Sequence, residues 1–318
     1  MSTEQLPNPK TFHIGGIAAH VYGLSSPLLR NTSSGVPDTA EGVTVLFFLH
    51  GRFGHSLEPR YVKPIQSFLE AAERAGKKLV VIAFDQRNHG QRTVDKDRNK
   101  GWKDDGTKGG ELNNESHAGD MMAIQLGTAR DVSLLIDFAE ISVWPRGEQR
   151  VVQWWCAGVS LGGHSTWLAL AHGTFVHLTE PRITLGIPIV GSPDMLTLLT
   201  ARARSLDLAI EAPHFPSRLL ELWQRLDPIH APPKAYEGKK IIVLSGAEDE
   251  LVNFVKGGTD DFVSSKLTKA VGKNGCVQVW VQEKTGHTYS QEMIERTCRF
   301  LVETGWDLSA AAQGQSLT

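Results

Sequence analysis

The sequence predicts an α/β protein, a mostly parallel sheet covered by helices on both faces, and three observations carry that prediction. Short apolar runs alternate along the chain with segments of helical period, as fully buried strands and their crossover helices do. One run, starting at Val151, passes through Gly158-Val159-Ser160-Leu161-Gly162 into the helix-like HSTWLALAHG. Finally, His50, Asp85, Ser160, Asp194, Asp249 and His287 each stand just past the end of an apolar run. In parallel sheets that edge is where ligands bind, whereas unselected polar residues would scatter between both edges.

Taken in order, MSTEQLPNPK reads as a polar, disordered lead, and Thr11–Tyr22 as two short strands broken at Gly15-Gly16. Ser25–Gly42, rich in Ser, Thr, Pro and Gly, reads as a surface loop. Val43–Leu49 is a buried strand ending at His50-Gly51-Arg52-Phe53-Gly54-His55, and a helix is predicted over Val62–Ala75. Lys78–Phe84 is the next strand, ending at Asp85-Gln86-Arg87-Asn88-His89-Gly90. Gln91–Ser116 is charged and aperiodic, with Trp102 alone among its charges; a loop of that length inside a compact domain is uncommon and often functional. His117–Glu140 has helical spacing, with Val132, Leu135, Ile136 and Ala139 at i, i+3, i+4 and i+7.

After the central strand and the helix from Leu161 to about Gly173, Ile183–Val190 is a strand ending in Gly191-Ser192-Pro193-Asp194. The alternation then breaks over residues 195–235, where helices are predicted near Leu196–Ala203 and Ser217–Trp223 between proline-rich stretches. Lys240–Leu244 resumes the sheet and leads to Ser245-Gly246-Ala247-Glu248-Asp249-Glu250. A helix over Asp260–Val271, a strand over Val277–Gln282, the turn Lys284–His287 and a helix over Ser290–Thr304 follow, and the tail after Asp307 is polar.

The totals fit one soluble domain spanning residues 1–318, with 41% hydrophobic and 21% charged residues and a net charge of −2. That charge gives no electrostatic case for nucleic acid or an anionic membrane, so a small neutral or apolar partner is expected. Three widely spaced cysteines, Cys156, Cys276 and Cys298, argue against a disulfide framework and suit a reducing compartment. Cys156 and Cys276 read as small buried hydrophobes. The lead lacks the apolar core of a signal peptide, and no run approaches membrane-spanning length, so a cytoplasmic location is expected.

A serine can occupy a sharp strand-to-helix turn only where its neighbours carry no side chain, which is what Gly158 and Gly162 supply. The competing role for Ser160 is a helix N-cap. A hydroxyl is a poor nucleophile near neutral pH and needs an adjacent base, and histidine titrates in the working range. His287, in Thr285-Gly286-His287-Thr288 after the last strand, is the candidate base. A carboxylate must then fix its tautomer. Asp249 is the candidate, between Glu248 and Glu250, with Asp194 as rival.

The ordered set His50-Gly51, Asp85-x-Arg87-x-His89-Gly90, Gly158-x-Ser160-x-Gly162 and Gly246-x-x-Asp249 followed by Gly286-His287 resembles the α/β-hydrolases, over nearly the whole chain. Asp227-Pro228-Ile229 resembles the approach to the seventh strand in their esterase and prolyl-oligopeptidase-like branch. The resemblance implies an eight-stranded, mostly parallel sheet with a small helical lid, residues 195–235, inserted after the sixth strand. It also implies an oxyanion site, one donor being the Leu161 backbone N–H at a helix start and the other coming from the loop after the third strand. Relatives with a plain His-Gly motif donate from the following residue, here Arg52, with Phe53 as the alternative. His50 is then structural, and Arg87 with Asp85 braces the loop after the fourth strand.

His55, His89 and His164 lack metal-ligand spacing such as H-E-x-x-H, and no phosphate-cradling G-x-x-x-x-G-K-[ST] occurs, so neither metal nor cofactor is expected. The expected activity is hydrolysis of a small carboxylic ester through an acyl-enzyme. A thioesterase, lactonase, C–C hydrolase or acyltransferase would use the same residues. A non-catalytic binding module on this fold is the alternative from another class. Leu196, Leu198, Leu199, Ile210, Phe215, Leu219 and Trp223 serve either as a pocket lining or as the lid's own packing face.

Overall fold

Val43–Leu49 has no polar face because the strand it forms has none to show: every residue of this β3 is buried. Its side chains alternate, Val45, Phe47 and Leu49 joining one core cluster and Leu46 and Phe48 the other. The computed structural model describes residues 6–30, 42–103, 111–172 and 180–306. The start of the polar lead, residues 31–41 of the predicted surface loop, residues 104–110 and the tail from 307 lie outside the described residues.

The strands are β1 (Lys10–Ile14), β2 (Ile17–Tyr22), β3, β4 (Leu79–Ala83), β5 (Val151–Val159), β6 (Ile183–Ile189), β7 (Lys240–Gly246) and β8 (Cys276–Gln282). They form one eight-stranded sheet in the order β1-β2-β4-β3-β5-β6-β7-β8. From β4 to β8 all neighbours pair in parallel, while β2 runs antiparallel to both β1 and β4. The chain leaves β3 toward β4 on one side and returns to β5 on the other, opening a crevice beyond the carboxyl ends of β3 and β5.

The helices are α1 (Pro27–Arg30), α2 (Pro59–Arg74), α3 (His117–Val143), α4 (Leu161–Ala171), α5 (Met195–Ser205), α6 (Ser217–Leu226), α7 (Thr259–Phe262), α8 (Thr268–Ala270) and α9 (Gln291–Phe300). α2 and α9 cover one face through Ile65, Phe68, Met293 and Phe300; α3 and α4 cover the other through Val132, Leu135, Trp167 and Leu170. The helix predicted over Asp260–Val271 forms over residues 259–270 but widens into a π-helical turn at Val263–Leu267 between α7 and α8. There the Ser264 and Ser265 hydroxyls donate to the Asp260 and Asp261 carbonyls, and Thr268 Oγ1 to the Val263 carbonyl, competing with the regular backbone ladder.

The segment between β6 and β7 holds α5, α6 and two 3₁₀ turns, and it has its own core. Phe215, Leu219, Trp223 and Leu226 pack with Trp102, Ala118 and Met122. Trp102, isolated in sequence, is 0% exposed and sits 5.0 Å from the His117 ring and 5.4 Å from the Phe215 ring. The long loop is therefore pinned to this segment. All three cysteines are free; Cys156 is buried as expected, but Cys276 is only half-buried because β8 is an edge strand.

Candidate active site

The backbone at Ser160 has φ 55° and ψ −111°, a conformation an L-residue adopts only when its surroundings enforce it. The enforcement is glycine packing. A Cβ on Gly158 would strike the backbone of Gly162, one on Gly162 the Leu49 carbonyl, and one on Gly163 would lie 2.6 Å from the Ile189 carbonyl oxygen. The Ser160 N–H donates to the Ile189 carbonyl at 2.8 Å, tying the turn to β6. The hydroxyl is left to face the crevice.

The loops after β7 and β8 complete the arrangement. His287 Nδ1 lies 2.7 Å from Asp249 Oδ2, and His287 Nε2 lies 2.7 Å from Ser160 Oγ. An ionised carboxylate only accepts, so the imidazole proton is on Nδ1, and Nε2 accepts from the Ser160 hydroxyl. Asp249 is buried, and its Oδ1 accepts from the Leu251 and Val252 amides at 2.9 and 2.8 Å. Burial raises its pKa, but the His287 hydrogen bond and charge and these two amides outweigh burial and hold the carboxyl below its ordinary value. Gly246 permits the approach, since a Cβ there would meet the Thr285 and Gly286 carbonyls. Asp194 serves elsewhere: its Oδ1 caps α5 by accepting from the Thr197 N–H at 2.9 Å.

The loop after β3 is braced from beneath. His50 Nε2 accepts from the Gln86 N–H at 3.0 Å, so its Nδ1 donates to the Gly51 carbonyl at 2.8 Å, and burial lowers its pKa to about 4. The Gln86 side chain donates to the His50 carbonyl and accepts from Ser165 Oγ, linking the loops after β3 and β4 to α4. The Gly51 N–H donates to Tyr61 Oη at 2.9 Å. The expected Asp85–Arg87 brace takes a different form. Asp85 accepts from the Ser56 N–H and hydroxyl and from the Gln91 N–H, while Arg87 forms a two-point pair with Asp131 of α3 at 2.9 and 3.1 Å. A guanidinium fork matches a carboxylate edge, and Asp131 offers that edge.

Two cavities meet at Ser160. The inner one, about 30 Å³, runs beneath α5 and against α3, and is lined by Leu161, His117, Gln125, His164 and Arg202 among others. The outer one, about 330 Å³, opens between the loops after β3 and β8 and is lined by Phe53, His287 and Tyr289 among others. Arg52 and Ser160 line both, Leu161 only the inner, and Phe53 only the outer. As the first amide of α4, the Leu161 N–H has no acceptor within the helix, so it can meet a charge developing beside Ser160. Leu198 and Leu199 serve both uses, lining the inner cavity and packing in the segment's own core, whereas Phe215, Leu219 and Trp223 pack in that core without bordering the cavity.

His164 forms part of the inner wall, His89 lies against His50 at a ring separation of 5.5 Å, and His55 faces Glu58. Among the described residues no three His, Cys, Asp or Glu side chains are grouped to hold a metal ion. Sequence reasoning passes over Gln86, Tyr61, Gln125 and Arg202. Only Gln125 leaves a signal: a polar residue at i+4 from Met121 on a buried helical face.

Comparison with protein-family models finds no match, and comparison with curated proteins finds none. Solved structures do match. TT1662 from Thermus thermophilus is 19% identical with a TM-score of 0.59, covering 94% of this chain and 99% of that one. Est1E from Butyrivibrio proteoclasticus, solved with ferulic acid bound, is 17% identical with a TM-score of 0.55, covering 92% and 98%. An acylaminoacyl peptidase from Pyrococcus horikoshii is 14% identical with a TM-score of 0.61, covering 94% of this chain but 42% of that one, so this chain spans less than half of its length. With the sheet order, these likenesses show the α/β-hydrolase fold.

Proposed function

We propose that the protein is a serine hydrolase that cleaves a small carboxylic ester through an acyl-enzyme. The observation that carries this reading is the continuous hydrogen-bonded chain Ser160–His287–Asp249 opening on a cleft at the carboxyl edge of the sheet. Ser160 Oγ attacks the ester carbonyl as His287 Nε2 takes its proton. The Leu161 and Arg52 amides receive the oxyanion, each such donor contributing about 2.7–4 kcal/mol in comparable sites. Arg52 is favoured over Phe53 because it borders both cavities with Ser160. His287 then passes the proton to the leaving alcohol, the C–O bond breaks, and water deprotonated by His287 releases the acid.

The same proton bookkeeping assigns the two cavities. The alcohol must depart beside the imidazole that protonates it, and His287 lines the outer cleft. The acyl group therefore occupies the inner cavity, beside Leu161. Residues 195–235 act as a lid in the limited sense that α5 roofs this acyl side.

A fluorophosphonate probe tests the reading. Wild type is expected to label and to turn over short esters, and Ser160→Ala to do neither; an unlabelled, folded wild type returns the chain to a binding role. Thioester and amide analogues run alongside report which bond is cleaved.

A further inference from the structure

The wall of the inner cavity carries one amide that the rest of the fold does not bond. Gln125 on α3 is 0% exposed and borders the cavity, and among the described residues neither its Nε2 nor its Oε1 has a hydrogen-bond partner. It follows Met121 and His117 by one and two helical turns, so all three present the same face of α3 to this space. A buried amide with both ends unsatisfied is costly, and a hydrocarbon side chain of similar size would remove that cost. The amide persists where a ligand completes it.

The groups around it are of two kinds. Met121, Leu161, Met195, Leu198 and Leu199 supply hydrocarbon. The other polar side chains of the wall bond within the protein. Arg202 donates to His117 Nε2 at 3.3 Å and to the Leu251 carbonyl at 3.0 Å, and Arg52 donates to the Asn99 carbonyl at 3.3 Å. His164 Nδ1 accepts from the Ser192 N–H at 2.9 Å, and Ser160 Oγ is bonded to His287. The volume, about 30 Å³, accepts a group about the size of two waters, such as one carbon and a polar atom on it, and excludes a fatty or aromatic acyl chain.

We infer that the substrate's acyl group is a short hydroxyacyl group and that Gln125 reads its hydroxyl in the inner cavity. This rests on the hydrolase reading above, which places the acyl group on that side. Nε2 and Oε1 stand side by side on one carboxamide, so a single hydroxyl accepts from the Nε2 N–H and donates to Oε1 at once. A methyl group in the same place leaves both ends unpaired, and a carboxylate, which only accepts, has no proton to offer Oε1. His287 lines the outer cleft and not the inner cavity, so the hydroxyl is held apart from the base that activates water. The Ser160 Oγ–acyl bond forms as the ester C–O bond breaks, and the serine proton leaves with the alcohol through His287. Water then gives its hydroxide to the acyl carbon and its proton, through His287, back to Ser160. The products are an alcohol and a small hydroxy acid.

The test uses pairs of esters that differ only by hydroxyl against methyl, followed by pH-stat titration. Ethyl 2-hydroxypropanoate is compared with ethyl 2-methylpropanoate, and ethyl 3-hydroxypropanoate with ethyl butanoate. Wild type is expected to favour the hydroxy ester in kcat/KM, and Gln125→Leu and Gln125→Met should each lower that hydroxyl-to-methyl ratio by about tenfold or more for one pair. The esters' own reactivities cancel when ratios are compared between proteins, and a ratio taken on one protein is insensitive to partial loss of folded enzyme. A wild-type ratio at or below one for both pairs, or a smaller fall than this for both pairs in either variant, overturns the inference. Melting separates this role from a structural one: hydrocarbon in place of an unpaired amide should leave Tm at or above the wild-type value. A Tm lower by more than about 5 °C in both variants shows that Gln125 bonds within the fold, and it too overturns the inference. If fluorophosphonate labels Ser160 but none of the four esters is hydrolysed, the subsite falls and the hydrolase reading stands. If Ser160 is not labelled, the hydrolase reading falls and the subsite with it.

Discussion

The two cavities at Ser160 differ in what they are made of. The inner one is walled by α3 and α5, whose other faces are locked into a core with Trp102, Phe215 and Trp223. The outer one is walled by the loops after β3 and β8, and its rim residue Phe53 is 56% exposed with its backbone at φ 62°. Helices backed by a core give a small space of fixed shape, whereas loops tolerate variation and leave a wide one. One side is therefore suited to selecting a compact group and the other to admitting many.

The sharpest test of this division removes what both sides share. Asp249→Asn keeps the shape but offers His287 the wrong hydrogen-bonding partner, and ester turnover should fall about 10⁴-fold, as in comparable triads. Asp194→Ala, which removes only the α5 cap, should cost about 1 kcal/mol of stability and leave turnover within twofold. If Asp194→Ala alone abolishes activity, the acid is misassigned and the cavities are divided about the wrong axis.

Acid should act on the inner wall. His50, His117 and His164 fall from an ordinary value of 6.5 to about 4, 3 and 4, chiefly through burial, and His117 and His164 line the inner cavity. Between pH 6.5 and about 4 the unfolded chain takes up protons that the folded one refuses. Stability is thus intact above that window and is lost as pH falls through it, by up to about 1.4 kcal/mol per pH unit for each histidine. Calorimetric melting should show Tm dropping steeply from pH 7 to 5, and His164→Gln should flatten the slope; a Tm independent of pH over that range refutes the neutral state of these histidines.

The smallest effect distinguishes the two sides by specificity. Met121→Ala enlarges the inner cavity and should shift the acyl preference about tenfold toward longer chains, with the alcohol preference unmoved. Phe53→Ala, on the outer rim, should do the converse. A panel of esters varied separately in acid and alcohol reads both, and the assignment reverses if Met121→Ala changes the alcohol preference instead.

Much of the fold is legible in the sequence because local pattern and global burial agree. Val43–Leu49, Leu79–Ala83 and Ile183–Ile189 are apolar apart from Thr44 and Thr184 since they are covered on both faces, and Gly158 and Gly162 mark a turn where backbone meets backbone. Ser160, Asp249 and His287 can be singled out for the same reason, each standing at the end of such a run. The legibility stops where a residue's partner is distant in the chain. Arg87 reads as a neighbour of Asp85 but bonds Asp131, and Trp102 reads as a loop residue but anchors a core built from residues 118–252. The π-helical turn at Val263–Leu267 is accompanied by serine hydroxyls whose choice of acceptor the helical period does not express.

By itself, then, the sequence determines the alternation of strands and helices, the strained turn at Ser160, and which polar residues stand at the carboxyl edge. Those follow from interactions local in the chain: side-chain period, glycine, and strand length. Only the tertiary structure decides that Gln125 of α3 and Arg202 of α5, 77 positions apart in the numbering, face one small space beside Ser160. The physical reason is that a cavity is a property of packing between elements, and no segment carries the record of what is left unfilled beside it.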